Sequence, residues 1–304
     1  NVTSLDIASS GQPISVEVVT KAQWASATLD AYRPLLDRLA GRLAQGGPPP
    51  EVSEADAQIL DGLLKALNPM MMAMSAGSIA GHLATKAFGN YVLPIPRPDD
   101  RILIIADNVD AFAEEWSLPA EDVHLWVCIS ELATHSVLSV GHVKAAFERL
   151  LNSYVDGFQA DPRGFEDRLM DINISGDDPT ELQEQLQGVL SDPENLLGAL
   201  RSEAQNAVVP QLEALLAVVV GYVDFVVDKV GQGLLGSYTS LLEVVRRRRF
   251  TSSAGDKFVE KLFGVEITSE LVDRGAAFVA GVVERAGEPA LTRLWTDPNA
   301  LPTP

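Results

Sequence analysis

The run from Val123 to Leu138, Val-His-Leu-Trp-Val-Cys-Ile-Ser-Glu-Leu-Ala-Thr-His-Ser-Val-Leu, constrains this chain more than any other stretch. Its apolar residues fall on nearly every side of a helical projection, so it reads as a helix inside the protein rather than on its surface. Pro119, Glu121 and Asp122 precede it and place acids at the helix's positive end. A carboxylate, Glu131, stands in the middle of the run. Burying a lone carboxylate costs several kcal/mol, roughly, unless it is paired or protonated. The chain must therefore give Glu131 a partner or a use.

One use is metallopeptidase chemistry. Zinc peptidases carry His-Glu-x-x-His on a helix: the two imidazoles, four apart on one face, bind the metal, and the Glu acts as general base. With Glu131 in the Glu position, the first His position is Ser130 and the second is Thr134. Zinc sites use imidazole, thiolate or carboxylate, and neither hydroxyl is a useful ligand at neutral pH. Glu131 then has three readings. It is a surviving general base, half of a new metal site with His135 one turn on, or a structural carboxylate held by an Arg, Lys or hydroxyl partner. The structural reading is preferred because buried carboxylates are usually paired. A Glu131/His135 metal pair needs a third ligand, and His82, His124 and His142 stand at no recognisable spacing. Cys128 reads as a small core hydrophobe, and Ser130 lacks a neighbouring base to make it a nucleophile.

The balance of 23 basic against 42 acidic residues gives a net charge of -19. Nucleic acid as a main partner and docking on anionic lipid are both disfavoured by that sign. An acidic surface suits a protein partner of basic character. A single cysteine permits no internal disulfide and fits a cytoplasmic chain. No stretch reads as a transmembrane segment.

Ala, Leu and Val are abundant and aromatics make up only 6%, which favours a mainly α (α+β) protein. One domain over 1–304 is expected, in four parts. A helical part spans 1–90, with helices over Val19–Ala44, kinked or split at Pro34, over Ala55–Leu67, and from Met70 through Gly77 and Gly81. The Gly77/Gly81 spacing suggests a close helix contact, and the Met run a plastic core. Residues 91–158 hold a Pro-rich extended stretch, a strand at Arg101–Ala106, a short helix at Asn108–Trp116, the central helix and a helix from Val143 to Phe158. An acidic insert follows at 159–195. The part 196–304 contains a second buried helix at Gln211–Val230, a loop at Gly231–Gly236, and helices at Ser240–Arg249, Phe258–Val265 and Ser269–Ala286, closed by a turn at Trp295–Pro298. Arg246 to Arg249 point about 100° apart on a helix, so they are expected to pair with nearby acids rather than form one patch. A phosphate or acidic-partner site is the sharper alternative.

Several stretches, in order, resemble a known group. They are Ala22-Gln-Trp-Ala-Ser-Ala-Thr-Leu, Tyr91-Val-Leu-Pro-Ile-Pro, Ala106-Asp-Asn-Val-Asp-Ala-Phe, Leu125-Trp-Val-Cys-Ile-Ser-Glu-Leu-Ala-Thr, Leu215-Leu-Ala-Val-Val-Val-Gly-Tyr-Val-Asp, Arg246-Arg-Arg-Arg, and Leu294-Trp-Thr-Asp-Pro-Asn-Ala-Leu-Pro-Thr. Over nearly its whole length the chain resembles the actinobacterial zincin-like family labelled DUF2342, a hydrolase or zinc-dependent metalloprotease family. The resemblance implies a zincin-like helical domain with a small sheet near the motif helix. It also implies a third metal ligand from a Glu-Gly-His triplet on the downstream helix, which falls here on Val220-Gly221-Tyr222. By the resemblance the ligand positions are Ser130, Thr134, Val220 and Tyr222, all degenerate, and only the Glu, Glu131, is kept. The expectation is therefore a pseudoenzyme with no cofactor, acting as a binding or scaffold module for a protein partner. The alternative is a zinc-dependent hydrolase using a non-standard site around Glu131 and His135.

Overall fold

The computed structural model describes residues 14–43, 73–158, 202–251 and 253–304. Strand β1 (Ser15–Val18) leads into α1 (Lys21–Leu43), and α2 (73–84) precedes β2 (Arg101–Ile104). Then follow α3 (Ala106–Glu115), α4 (Ala120–Leu138), α5 (Gly141–Asp156), α6 (Glu203–Leu234), α7 (Tyr238–Phe250), α8 (Ala254–Phe263), α9 (Ser269–Ala286) and α10 (Arg293–Thr296). The expected helix at Ala55–Leu67, residues Met70 to Met72 and the acidic insert 159–195 lie outside the described residues. The architecture is mainly helical, with a small sheet beside the motif helix.

The core is built around α6. Leu212, Leu215, Leu216, Val218, Val219, Val223 and Val226 bury its surface almost all round, and it packs against α4, α5 and α9. Its start is fixed by a capping box between Ser202 and Gln205. The helix runs through Pro210 and on through Gly231 and Gly233 to Leu234, so the expected loop at Gly231–Gly236 begins only after it. Gly231 is needed there because a Cβ would lie 2.4 Å from the Tyr238 ring. The α1 helix likewise runs through Pro34 as one element instead of splitting.

Where helices touch most closely, glycine makes the contact possible. A Cβ on Gly275 of α9 would lie 2.0 Å from the Ala217 carbonyl oxygen of α6, and one on Gly221 would lie 2.4 Å from the Gly275 carbonyl carbon. Among the described residues, no close contact forms at Gly77 and Gly81. Both are exposed, and among the described residues nothing lies within 4 Å of either Cβ position. Met74 is 67% exposed, against the expectation of a methionine core. Small-residue spacing marks a surface that permits approach; only the packing decides whether a neighbour comes.

Among the described residues the sheet has two parallel strands, with Ser15 opposite Arg101 and Val18 opposite Ile104. Its second strand was expected and its first was not. The apolar residues of β1, Val16 and Val18, are 49% and 73% exposed, so the strand carries no inward apolar signal.

The α4 helix lies between two apolar clusters. Val123 and Val127 pack with Ile102, Phe112 and Leu241 in the smaller one. Ala133, Val137 and Leu138 belong to the larger one with α5 and α6. A helix wedged between two cores needs apolar residues on opposite faces, which accounts for its nearly all-round pattern. Among the described residues, no single helix is long and apolar enough to cross a membrane.

Candidate functional site

Between α2 and β2 the chain forms a strap across α4. The Asn108 side-chain amide donates to the carbonyls of Ala84 and Ala87 at 2.9 and 2.7 Å. The buried Trp24 indole donates to the Gly89 carbonyl at 3.0 Å. Asn90 extends the β2 ladder with its side chain, donating to Arg101 O at 2.6 Å and accepting from Leu103 N–H at 3.2 Å. The buried Arg97 guanidinium donates to the Asn90 carbonyl. Each anchor satisfies a buried polar group, and together they hold the backbone of the strap in place.

This strap meets Glu131. The Tyr91 N–H donates to both carboxylate oxygens, at 3.3 Å to Oε1 and 3.1 Å to Oε2. Gly89 lets the backbone come this near, since a Cβ there would lie 2.3 Å from Glu131 Cδ. Burial pushes the Glu131 carboxyl up to about 7, against the pull of the Tyr91 N–H, the Arg97 charge and the Asn90 N–H. Sequence reasoning expected an Arg, Lys or hydroxyl partner. The partner is a backbone amide, which no residue-type pattern reveals. Arg97 acts on Glu131 only through its charge. Its guanidinium lies over the Tyr32 ring at 4.8 Å and donates to the Thr28 and Tyr32 hydroxyls at 3.4 Å each.

His135, one turn further along α4, is 1% exposed. Its Nε2 lies 3.2 Å from Asp100 Oδ1 and its Nδ1 2.8 Å from the Tyr91 hydroxyl. A carboxylate only accepts, so Nε2–H donates to Asp100 and Nδ1 takes the Tyr91 hydroxyl hydrogen. Burial lowers the His135 pKa, opposed by the Asp100 charge and hydrogen bond. Glu131 and His135 thus converge on one residue, Tyr91, by its amide and its hydroxyl. Both imidazole nitrogens are engaged, which leaves neither turned to a shared metal position with Glu131.

Ser130, Glu131, Thr134 and Val220 line one cleft of about 1010 Å³, bordered also by the strap, α3 and α7. The positions expected from the motif therefore meet in space, with one exception. Tyr222 turns away, its ring centroid 4.8 Å from that of Trp295. Thr134 spends its hydroxyl on the Ser130 carbonyl one turn back, at 2.8 Å. His124 lies apart, paired with Asp110 at 2.7 Å. Cys128 is half-buried and burial raises its pKa, the behaviour of a packing residue rather than a reactive thiol.

Part of the cleft wall was not foreseen. Arg247, Arg248 and Arg249 all line it, although consecutive helical residues diverge. Their long side chains sweep back to the same opening. Arg247 pairs with Glu243 at 2.5 Å and Arg249 with Asp224 at 2.6 and 2.8 Å, as expected for that run. Arg248 pairs with no acid among the described residues. It lies over the Phe88 ring at 3.6 Å and donates to the Lys86 carbonyl. Tyr91, Gly89, Arg97 and Asp100 were not expected as parts of the site, whereas Arg248 belongs to the run for which an acidic-partner site was the alternative. Tyr91 and Arg97 fall in the Pro-rich extended stretch.

Fold and cleft together define a mainly helical domain of the zincin-like class. The model of the zincin-like metallopeptidases matches residues 1–304, and the chain belongs to that family. Among solved structures, "a putative hydrolase with a novel fold" from Chloroflexus aurantiacus is similar over 96% of this chain and 77% of that one, with a TM-score of 0.56 and 18% identity. At that identity the likeness concerns the fold. No curated protein matches.

The family implies a zinc ion, and the donor set here does not suit one. Ser130 offers a neutral hydroxyl, the Thr134 hydroxyl is already bonded to its own helix, and Val220 offers nothing. Tyr222 packs on Trp295, and burial pushes its hydroxyl's pKa up, away from the ionised form. Among the described residues, no group of three or more His, Cys, Asp or Glu is arranged to hold a metal ion.

Proposed function

We propose that this zincin-like protein keeps the family's cleft as a binding site for a protein partner and does not cleave peptides through zinc. One observation supports the reading above others. The motif positions meet on the cleft wall, yet two hydroxyls and a valine stand there in place of metal-binding side chains, beside a carboxyl tied to backbone. The rest of the wall suits peptide binding. Phe88, Phe112 and Trp126 line it, as do the exposed Trp116 and Phe250. The test is metal content of untagged protein grown with added zinc, together with a peptidase assay. Sub-stoichiometric zinc and no chelator-sensitive cleavage are expected. One zinc per chain, lost in Glu131→Ala or His135→Ala, would overturn the proposal.

A second reading has its own observation. The Glu131 carboxyl lies on a cleft with its pKa near 7, the range of a general acid or base. A hydrolase working from Glu131 and His135 fits that value, and the Chloroflexus aurantiacus protein of similar fold is described as a putative hydrolase. Ester and amide hydrolysis abolished by Glu131→Gln, with a rate profile turning near pH 7, would favour it.

A further inference from the structure

We propose that the arginine wall of the cleft, centred on Arg248, binds a carboxylate side chain of a partner's peptide, with the neighbouring aromatic surface taking an adjacent apolar side chain. This rests on the reading of the cleft as a peptide-binding site and names what it recognises.

The chain carries a net -19, yet Lys21, Lys86, Arg247, Arg248 and Arg249 all line this one cleft. Two of the five are neutralised by buried or half-buried acids: Lys86 by Asp256 at 2.5 Å and Arg249 by Asp224. Arg247 holds only an exposed pair with Glu243 one turn back, which competes weakly with a ligand. Lys21 makes no ion pair among the described residues. The wall also carries the acids Glu115, Glu131 and Glu260.

Arg248 is the best placed. Its guanidinium is 3.6 Å from the Phe88 centroid and 5.0 Å from that of Phe112, and the Lys86 carbonyl holds one of its ends. Burial lowers its pKa to about 10, the sign of a cation short of compensation. Glu115 and Asp256 act on it by charge, neither close enough for an ion pair. A guanidinium so fixed keeps donors for a planar carboxylate and loses little side-chain freedom on binding. A dianionic phosphate suits the place less well, because Glu115 also lines this wall. A single carboxylate beside an apolar group matches the fork and the Phe88, Phe112 and Trp126 surface together.

The test is panning of a random heptapeptide library displayed on phage against the folded chain, followed by affinities of an enriched peptide. Enrichment of Asp or Glu beside an aromatic or aliphatic residue is expected. Exchange of that acid for Asn or Gln should weaken binding at least tenfold in wild type and under threefold in Arg248→Gln. Arg248→Lys keeps the charge without the fork and should fall between them. The change on the peptide side keeps the test decisive if Arg248→Gln folds poorly. Enriched peptides without a required acid would overturn this inference and leave the cleft reading standing. No enrichment of any peptide would overturn both. Inorganic phosphate displacing the peptide at concentrations where acetate does not would also overturn it, in favour of a phosphate site.

Discussion

Helices α4 and α6 both supply positions of the metallopeptidase motif, and they treat them differently. On α4 the polar residues remain polar: Ser130, Glu131, Thr134 and His135 each face the cleft, the strap or a backbone oxygen. On α6 the triplet belongs to packing. Gly221 admits α9, Tyr222 packs against Trp295 with the rings tilted, and Val220 gives the cleft an apolar patch. A buried polar residue persists where fixed backbone donors and acceptors satisfy it. On α6, the approach of a second helix sets the requirement, and size matters more than charge.

The most severe way to break this contrast is on the packing side. Gly275→Ala puts a Cβ where only 2.0 Å separates it from a main-chain oxygen, and backbone cannot rotate aside as a side chain can. A loss of roughly 3 kcal/mol or more in urea unfolding is expected. A loss under about 1 kcal/mol would mean that the crossing has slack and α6 is not set by packing.

The polar side is probed by pH. The folded pKa of Glu131 is raised from 4.5 to about 7, so the native state binds more protons than the unfolded chain between those values. Its contribution is therefore best below pH 4.5 and is lost as pH rises through 7, by about 3 kcal/mol in all. Glu131→Gln removes this dependence. The stability of the variant relative to wild type should rise between pH 5 and 8, measured by denaturant titration at each pH. A difference that stays flat would show that the carboxylate is solvated or fully paired. His135 works in the opposite sense. Its pKa is lowered, so protonation costs stability as pH falls through its ordinary value of 6.5.

A smaller effect tests the link between the two. Tyr91→Phe leaves the His135 Nδ1 without its hydroxyl donor and should cost about 1–2 kcal/mol. The His135 ring resonances should shift in the NMR spectrum, while the Glu131 contact, made by backbone, stays. The least effect is expected at the exposed Arg247–Glu243 pair, where Arg247→Ala should change stability by under about 0.5 kcal/mol. A larger loss would mean that the arginine wall is part of the core.

Much of this could be read along the chain. The all-round apolar pattern of Val123–Leu138 gave α4, and Glu131 stood out because a carboxylate cannot enter such a run uncompensated. The order of short stretches pointed to the zincin-like family. Less legible was everything that depends on a partner distant in sequence. The β1 strand escaped because its valines face outward. Gly77/Gly81 and Gly221/Gly275 both offer small residues to a neighbour, and among the described residues only the second pair meets one.

For the site, the sequence by itself determined which residue types occupy the motif positions, and so what the donor set can and cannot hold. Those are properties of single side chains and need no coordinates. Tertiary structure decided that Glu131 is answered by the amide of Tyr91, forty residues away, and that Tyr91 also takes His135. It also decided that three arginines turn into one cleft. Backbone amides carry no residue-type signature, and the direction of a long side chain is set by what packs around it. Such facts arise only when the strap, α4 and α7 are brought together.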